Sequence, residues 1–164
     1  MNYPNAAEPT GVRRSRLLLS MIFLLAPGMV TGHQGATGVV KERMDMMAGI
    51  GEDMKGIKAM IQGERPFEAQ VFTSHAESIR LAAPRIKNVF PLGSLEHPSE
   101  ALPRIWEDWD RFTALVDQLT TESERLRDLA ESQDRRVVVR QFARVGKTCR
   151  GCHTDFRKKQ DRNK

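Results

Sequence analysis

An all-α fold, an antiparallel four-helix bundle, is what this 164-residue sequence predicts. Three observations predict it. Apolar residues recur at alternating spacings of three and four in four successive stretches, the period of one helical face. The breaks between those stretches are mostly short and hold Gly, Pro, Ser or Asp. No alternating run rich in β-branched residues and bounded by turns occurs, so no strand is expected.

The first helix is predicted from about Val39 to Gln62, with Val40, Met44, Met47, Gly51, Met54 and Ile61 on one seam. Gly63 should stop it, and Pro66 should open the next helix at its first turn. That second helix is expected over Pro66 to Val89, on the seam Phe72, His75, Ile79, Ala82, Ile86 and Val89. Pro84 should kink or split it, because proline lacks an amide N–H and its ring crowds the preceding turn. His75 lies on this seam and reads as a satisfied, half-buried histidine. Residues 90–99 (FPLGSLEHPS) form the one long loop.

A third helix follows with unbroken spacing through Ile105, Trp109, Phe112, Val116, Leu119, Ser123, Leu126 and Leu129, with Trp106 at its border. The acidic run Glu107, Asp108 and Asp110 suits the positive end of that helix. After a turn at residues 132–134, the last helix carries Val138, Phe142, Val145, Cys149, Cys152 and Phe156 on one stripe. Four amphipathic helices with mostly short connections pack antiparallel, with any cofactor built into their core.

The chemistry concentrates in Cys149-Arg150-Gly151-Cys152-His153, which contains the only two cysteines of the chain. Cys-x-x-Cys-His reads as a c-type haem attachment site. Two thiols must reach the two vinyl groups on one haem edge, and an imidazole must reach the iron from the same segment. Residues three apart on a helix face one way, and His153 follows directly. A structural disulfide and a zinc knuckle are the alternatives. Zinc needs a second ligand pair, and His33, His75 and His97 show no such spacing. A redox dithiol would sit near a strand-helix-strand pattern.

Residues 1–32 read as a cleaved signal peptide: Arg13, Arg14 and Arg16 precede an apolar run from Leu17 to Ala26, which Pro27-Gly28 breaks. Ten apolar residues are far short of the roughly 20 that span a bilayer. The mature domain is expected over residues 33–164, in the periplasm, without a membrane span. Removing Arg13, Arg14, Arg16 and Glu8 takes 26 basic and 21 acidic residues to 23 and 20. Two haem propionates bring this near neutral, so the pI of 9.6 does not indicate nucleic-acid binding. The cluster Arg157-Lys158-Lys159 in the basic tail reads as a solvated terminus or as a docking patch for an acidic redox partner.

A Cys-x-x-Cys-His at the C-terminal end of a four-helix bundle resembles cytochrome c′ and its class II relatives. Val40-Lys41-Glu42-Arg43 resembles the family's opening Val-Lys-Tyr-Arg, with Glu42 in place of tyrosine. Gln62 to Phe67 resembles its first interhelical turn, Ala101 to Trp106 the start of its third helix, and Cys149 to Arg157 its last turns. The resemblance implies one covalent haem, with Cys149 and Cys152 as thioether attachments and His153 as proximal ligand. It places Arg157 beside the proximal imidazole, Arg43 near the propionates, Met44 in haem contact, Glu100 near the haem edge and Met47 at the distal position.

A Met47 sulfur on iron implies a six-coordinate, low-spin centre suited to electron transfer. A Met47 that only packs implies a five-coordinate centre open to NO or CO. A methionine on a helical seam is also simply a core residue. No nucleophile–base set, phosphate loop or carboxylate pair stands out, so the chain reads as a carrier or gas-binding protein rather than an enzyme. Its partners would be redox proteins, and the resemblance makes a homodimer plausible. Weak haem peroxidase activity and a haem-free binding bundle are the competing classes.

Overall fold

The computed structural model describes residues 35–132 and 134–159; the expected leader over 1–32, Gln133 and the tail from residue 160 lie outside the described residues. The order is α1 (Gly38–Gln62), α2 (Ala69–Ala82), a 3-10 segment (Ala83–Val89), α3 (Arg104–Glu107), α4 (Trp109–Asp128) and α5 (Arg135–Phe156). Among the described residues the only β pairing is an isolated antiparallel bridge between Ala101 and Arg157. The all-α bundle follows the periodicity.

Side-chain pairs give the helix directions. Asp53 meets His75 and Arg43 meets Val89 across α1 and the α2 column. Glu77 meets Arg127 and Lys87 meets Asp117 across that column and α4. Glu122 meets Gln141 and Arg111 meets Asp155 across α4 and α5. In each case numbers rise along one helix as they fall along its neighbour. All three pairs are antiparallel, so α1 also runs antiparallel to α5.

Three of the four lateral seams are packed: α1 with α2, α2 with α4, and α4 with α5. They share a core in which Ile57, Phe72, Ile79, Ile105, Phe112, Leu126 and Val145 are at most 1% exposed. Burying each such side chain contributes about 1.5–3 kcal/mol. The fourth seam is different, because α1 and α5 do not pack extensively. Arg135 ties them at one end, with Nη2 donating to the Met60 carbonyl at 3.1 Å and the guanidinium over the Phe67 ring at 5.1 Å.

Several boundaries differ from the sequence expectation. The second helix begins at Ala69 rather than Pro66, because Glu64 and Arg65 donate their amides back to the Ala59 carbonyl and the chain then runs extended to Glu68. Gly63 closes α1 at φ +78°, a left-handed conformation that favours glycine. Pro84 converts the end of the second column into the 3-10 segment. The third helix is not continuous, since Asp108 leaves helical geometry (φ −131°, ψ 54°) and α4 restarts. That break exchanges the two tryptophans. Trp106 lies half-buried with its indole N–H on the Phe90 carbonyl at 3.0 Å, whereas Trp109 is 37% exposed, with its ring stacked on Phe112.

The first seam needed the largest correction. The residues of α1 buried against its neighbours are Val40, Arg43, Ile50, Gly56, Ile57 and Met60. Met44, Met47, Gly51 and Met54 are only half-buried. Of these, Met47 and Met54 pack against the edge of the core, and Met54 reaches toward Gly146 across the open seam.

His75 is half-buried, with Nδ1 2.9 Å from an Asp53 carboxylate oxygen. Its other edge lies on Gly56, where a Cβ would stand 2.5 Å from Nε2 and 2.8 Å from Cε1. Gly56→Ala should therefore destabilise the fold by about 1–2 kcal/mol in denaturant melts, because overpacking outweighs alanine's helix preference of about 1 kcal/mol. In a His75→Ala background the sign should reverse. A stabilising effect in both backgrounds would remove the contact from the account.

Candidate functional site

On α5 the fully buried positions are Val138, Gln141, Val145, Thr148 and Phe156. Phe142, Cys149 and Cys152 are half-buried beside them. All lie on the one stripe the spacing predicts: Cys152 falls between Gln141 and Val145 on the helical wheel, and Phe142, Cys149 and Cys152 pack against the core. The stripe closes against α4, where Gln141 Nε2 donates to Glu122 Oε2 at 2.6 Å and to its carbonyl at 2.9 Å. Cys149 lies at its edge, beside Gly146. Gln141 and Thr148 escaped the sequence reading because polar residues do not register in an apolar pattern.

The register across that seam follows from one contact. A Cβ on Gly146 would meet Met54 Cε at 4.0 Å, so these two residues face each other. Met47 lies seven residues, about two turns, before Met54 and on the same face. Two turns in the antiparallel sense from Gly146 lead to His153. Met47 and His153 therefore stand at one level, on opposite walls. Gly146 and Gly51 were not distinguished as wall residues, yet each leaves room where a side chain would fill the seam. An open groove of about 630 Å³ runs along α5 and its tail, with Gly146, Cys149, Arg150, His153 and Arg157 in its lining.

The electrostatics suit thioether chemistry better than thiolate chemistry. Both cysteines are free. Burial pushes the Cys149 thiol up, and burial with Cys149 and Asp155 pushes Cys152 up to about 11. Thiols held protonated are poor metal-ligating thiolates. No group of three or more His, Cys, Asp or Glu among the described residues is arranged to hold a metal ion. The exposed His153 imidazole is nevertheless desolvated enough to lie below its usual pKa; Arg157 lowers it further and Glu100 opposes. It is therefore neutral at pH 7, as an iron-ligating imidazole must be.

Arg157 and Glu100 come together, but as a clasp. Arg157 Nε donates to Glu100 Oε2 at 2.7 Å, and Nη2 reaches the same oxygen. Leu102 N donates to the Phe156 carbonyl at 2.9 Å, and Lys158 N to the Glu100 carbonyl at 2.8 Å. Residues 99–102 are thus sewn to the end of α5, which fixes the turn bearing His153.

Arg43 is turned to the 89–99 loop. Its Nε donates to the Val89 carbonyl at 2.9 Å, and Nη1 to the Ser94 carbonyl at 3.0 Å and Ser99 Oγ at 2.8 Å. Nη2 donates to Ser94 Oγ, and the guanidinium lies 4.1 Å from the Phe90 centroid. Burial lowers its pKa and Glu96 partly restores it. Arg43 anchors the loop to α1, a role the motif did not disclose.

The sequence matches the family described as Cytochrome C′ over residues 38–157, a span from the start of α1 to the clasp. The chain belongs to the cytochrome c′ family. Cytochrome c-556 of Agrobacterium fabrum is 34% identical over 133 residues, covering 80% of this chain and 89% of that protein. The solved cytochrome c prime of Shewanella frigidimarina is 28% identical, with a TM-score of 0.70 over 74% of this chain and 94% of its own. The cytochrome c′ of Rhodopseudomonas palustris is 28% identical, also at TM-score 0.70, over 77% and 100%.

Cytochrome c′ proteins carry a covalent c-type haem, and Cys149 and Cys152 fit its attachment. The structure meets that requirement independently. Cys149 and His153 line the open groove along α5, beside the α1–α5 seam, which is unpacked among the described residues. Three packed interfaces hold the bundle while the fourth remains available.

Proposed function

We propose that this cytochrome c′ family protein is an exported electron carrier whose haem would be joined to Cys149 and Cys152, with His153 and Met47 as the residues that would hold its iron. The level register of Met47 and His153 across the open seam carries this reading. The bound haem supplies one-electron exchange between ferric and ferrous iron. The protein holds its edge with two thioethers, offers an unprotonated imidazole at His153 and presents the Met47 thioether from the facing wall. Methionine–histidine ligation raises the potential. The Arg157–Glu100 clasp keeps the last turn of α5 stationary, so little motion accompanies a change of charge. Met44 packs along the same wall. Arg43, through the 89–99 loop, is the residue we assign to the propionate end.

No step needs a substrate, and the protein acts as a carrier rather than an enzyme. Export to the periplasm is supported by the basic and apolar leader. No helix among the described residues is long and apolar enough to cross a membrane. Its partners are redox proteins, and pairing of two copies is compatible with this role.

One observation favours a second reading, the binding of NO or CO at a five-coordinate iron. A Cβ at Gly51, one turn from Met47, would meet nothing within 4 Å, which leaves space for a diatomic ligand beside a non-ligating methionine. The optical and EPR spectra of the resting protein, with and without CO, test the choice. A low-spin ferric spectrum and a ferrous form slow to take up CO are expected. A high-spin spectrum with immediate CO binding would replace the carrier reading by the gas-binding one.

A further inference from the structure

We propose that the outer face of α5 is a docking surface for an acidic redox protein, which exchanges electrons with the haem across the edge bounded by Lys147 and Arg150. This rests on the electron-carrier reading.

The face is built of unpaired cations. Residues 135–156 contain six Lys or Arg and a single acidic residue, Asp155, which is already bonded to Arg111. Arg136, Arg140, Arg144, Lys147 and Arg150 are all exposed. None of them makes an ion pair with a described residue, whereas Arg80, Lys87, Arg111, Arg125, Arg127 and Arg157 each hold a carboxylate. Their spacings of four, four, three and three keep all five within one side of the helix. Like charges three and four apart repel and destabilise the helix that carries them. An uncompensated row of this kind costs the isolated fold stability and returns it when an anionic surface arrives.

The row is also placed for electron exchange. Successive helical residues turn by about 100°, so Arg150 stands about 40° from Gly146 and about 60° from His153 on the wheel, with Lys147 about 60° further round. Arg150 shares the cavity that Cys149 and His153 line, together with Lys158 and Lys159. The cations thus begin where the cofactor wall ends. Between them lie Val139, 44% exposed, and the exposed Ala143, small apolar contacts that let a charged encounter settle and part. A partner with carboxylates around its own redox centre is steered by the field and pre-oriented with the two cofactors near each other. In the transfer one electron leaves the partner's reduced cofactor and reduces ferric iron to ferrous, with no proton or group moved.

The test uses the holoprotein and a reduced acidic flavodoxin in stopped flow. Arg144→Glu/Lys147→Glu should lower the second-order rate about tenfold at low ionic strength and flatten its salt dependence. Arg85→Glu/Lys87→Glu, the same change of net charge on the 3-10 segment, should change it less than about twofold. Titrating oxidised flavodoxin into the ¹⁵N-labelled holoprotein should shift amides of α5 and leave those of α2 in place. Equal slowing by both double variants would mean bulk charge alone and overturn the proposal. So would unchanged rates in both, including the case where the α5 variant instead loses co-sedimentation with phosphatidylserine vesicles, which would assign the face to a membrane. A five-coordinate iron, the result that removes the carrier reading, slows wild type and variants together and leaves their ratio intact.

Discussion

Met47→Ala should convert the resting ferric protein from a low-spin to a high-spin spectrum, with the low-spin fraction falling below about one tenth, since loss of a ligand worth a few kcal/mol shifts the population at least that far. The ferrous variant should bind CO at once, because the sixth position no longer has an internal competitor. The reduction potential should fall, since the thioether favours the ferrous state. The change should cost little in folding. Met47 is half-buried at the edge of the core it packs against, so truncation opens toward solvent rather than leaving a sealed cavity. Met54→Ala is the control: the same chemistry is removed two turns away, and the spectrum should stay low-spin. An unchanged spectrum in Met47→Ala would take Met47 out of the coordination sphere.

Cys149→Ala/Cys152→Ala should abolish covalent haem, read as loss of the haem band on a denaturing gel. Each single variant should retain one thioether and a weakened band. The double variant should also lose stability by several kcal/mol. A covalently held group that makes contacts only in the folded state stabilises that state by the free energy of those contacts. Here it also supplies the contacts that α1 and α5 do not make with each other. The melt should therefore begin with α1, which is held by α2 on one side only. A fully retained haem band in the double variant would refute the attachment, and equal stability with and without haem would refute the open seam as its place.

How much of this was legible in the sequence depends on the kind of signal. The four helical stretches and the Gly63 stop follow from periodicity and backbone chemistry, which are local. The break at Asp108 did not, because Ile105 and Phe112 keep a seven-residue spacing whether or not the turn between them is helical. The exchange of Trp106 and Trp109 follows from that break and from the Phe90 carbonyl, which the long loop brings near. The Met44–Met47–Gly51–Met54 stripe was visible as a seam, but what it faced was not. An apolar face reads alike whether it meets a helix or a cofactor. Glu100 and Arg157 were both singled out, and only the folded chain brings them together as a pair.

By itself the sequence determined the class of the chain and its chemistry. Spacing alone makes four amphipathic helices, and Cys149-Arg150-Gly151-Cys152-His153 carries its meaning in five consecutive residues. The tertiary structure decided what surrounds that motif. It left the α1–α5 seam unpacked, set Met47 level with His153, turned Arg43 to the loop and left Arg136, Arg140, Arg144, Lys147 and Arg150 without an ion pair to a described residue. These are relations between residues far apart in the chain. They depend on which helix faces meet, and that is fixed only when the three packed seams have buried their apolar surface and the fourth is what remains.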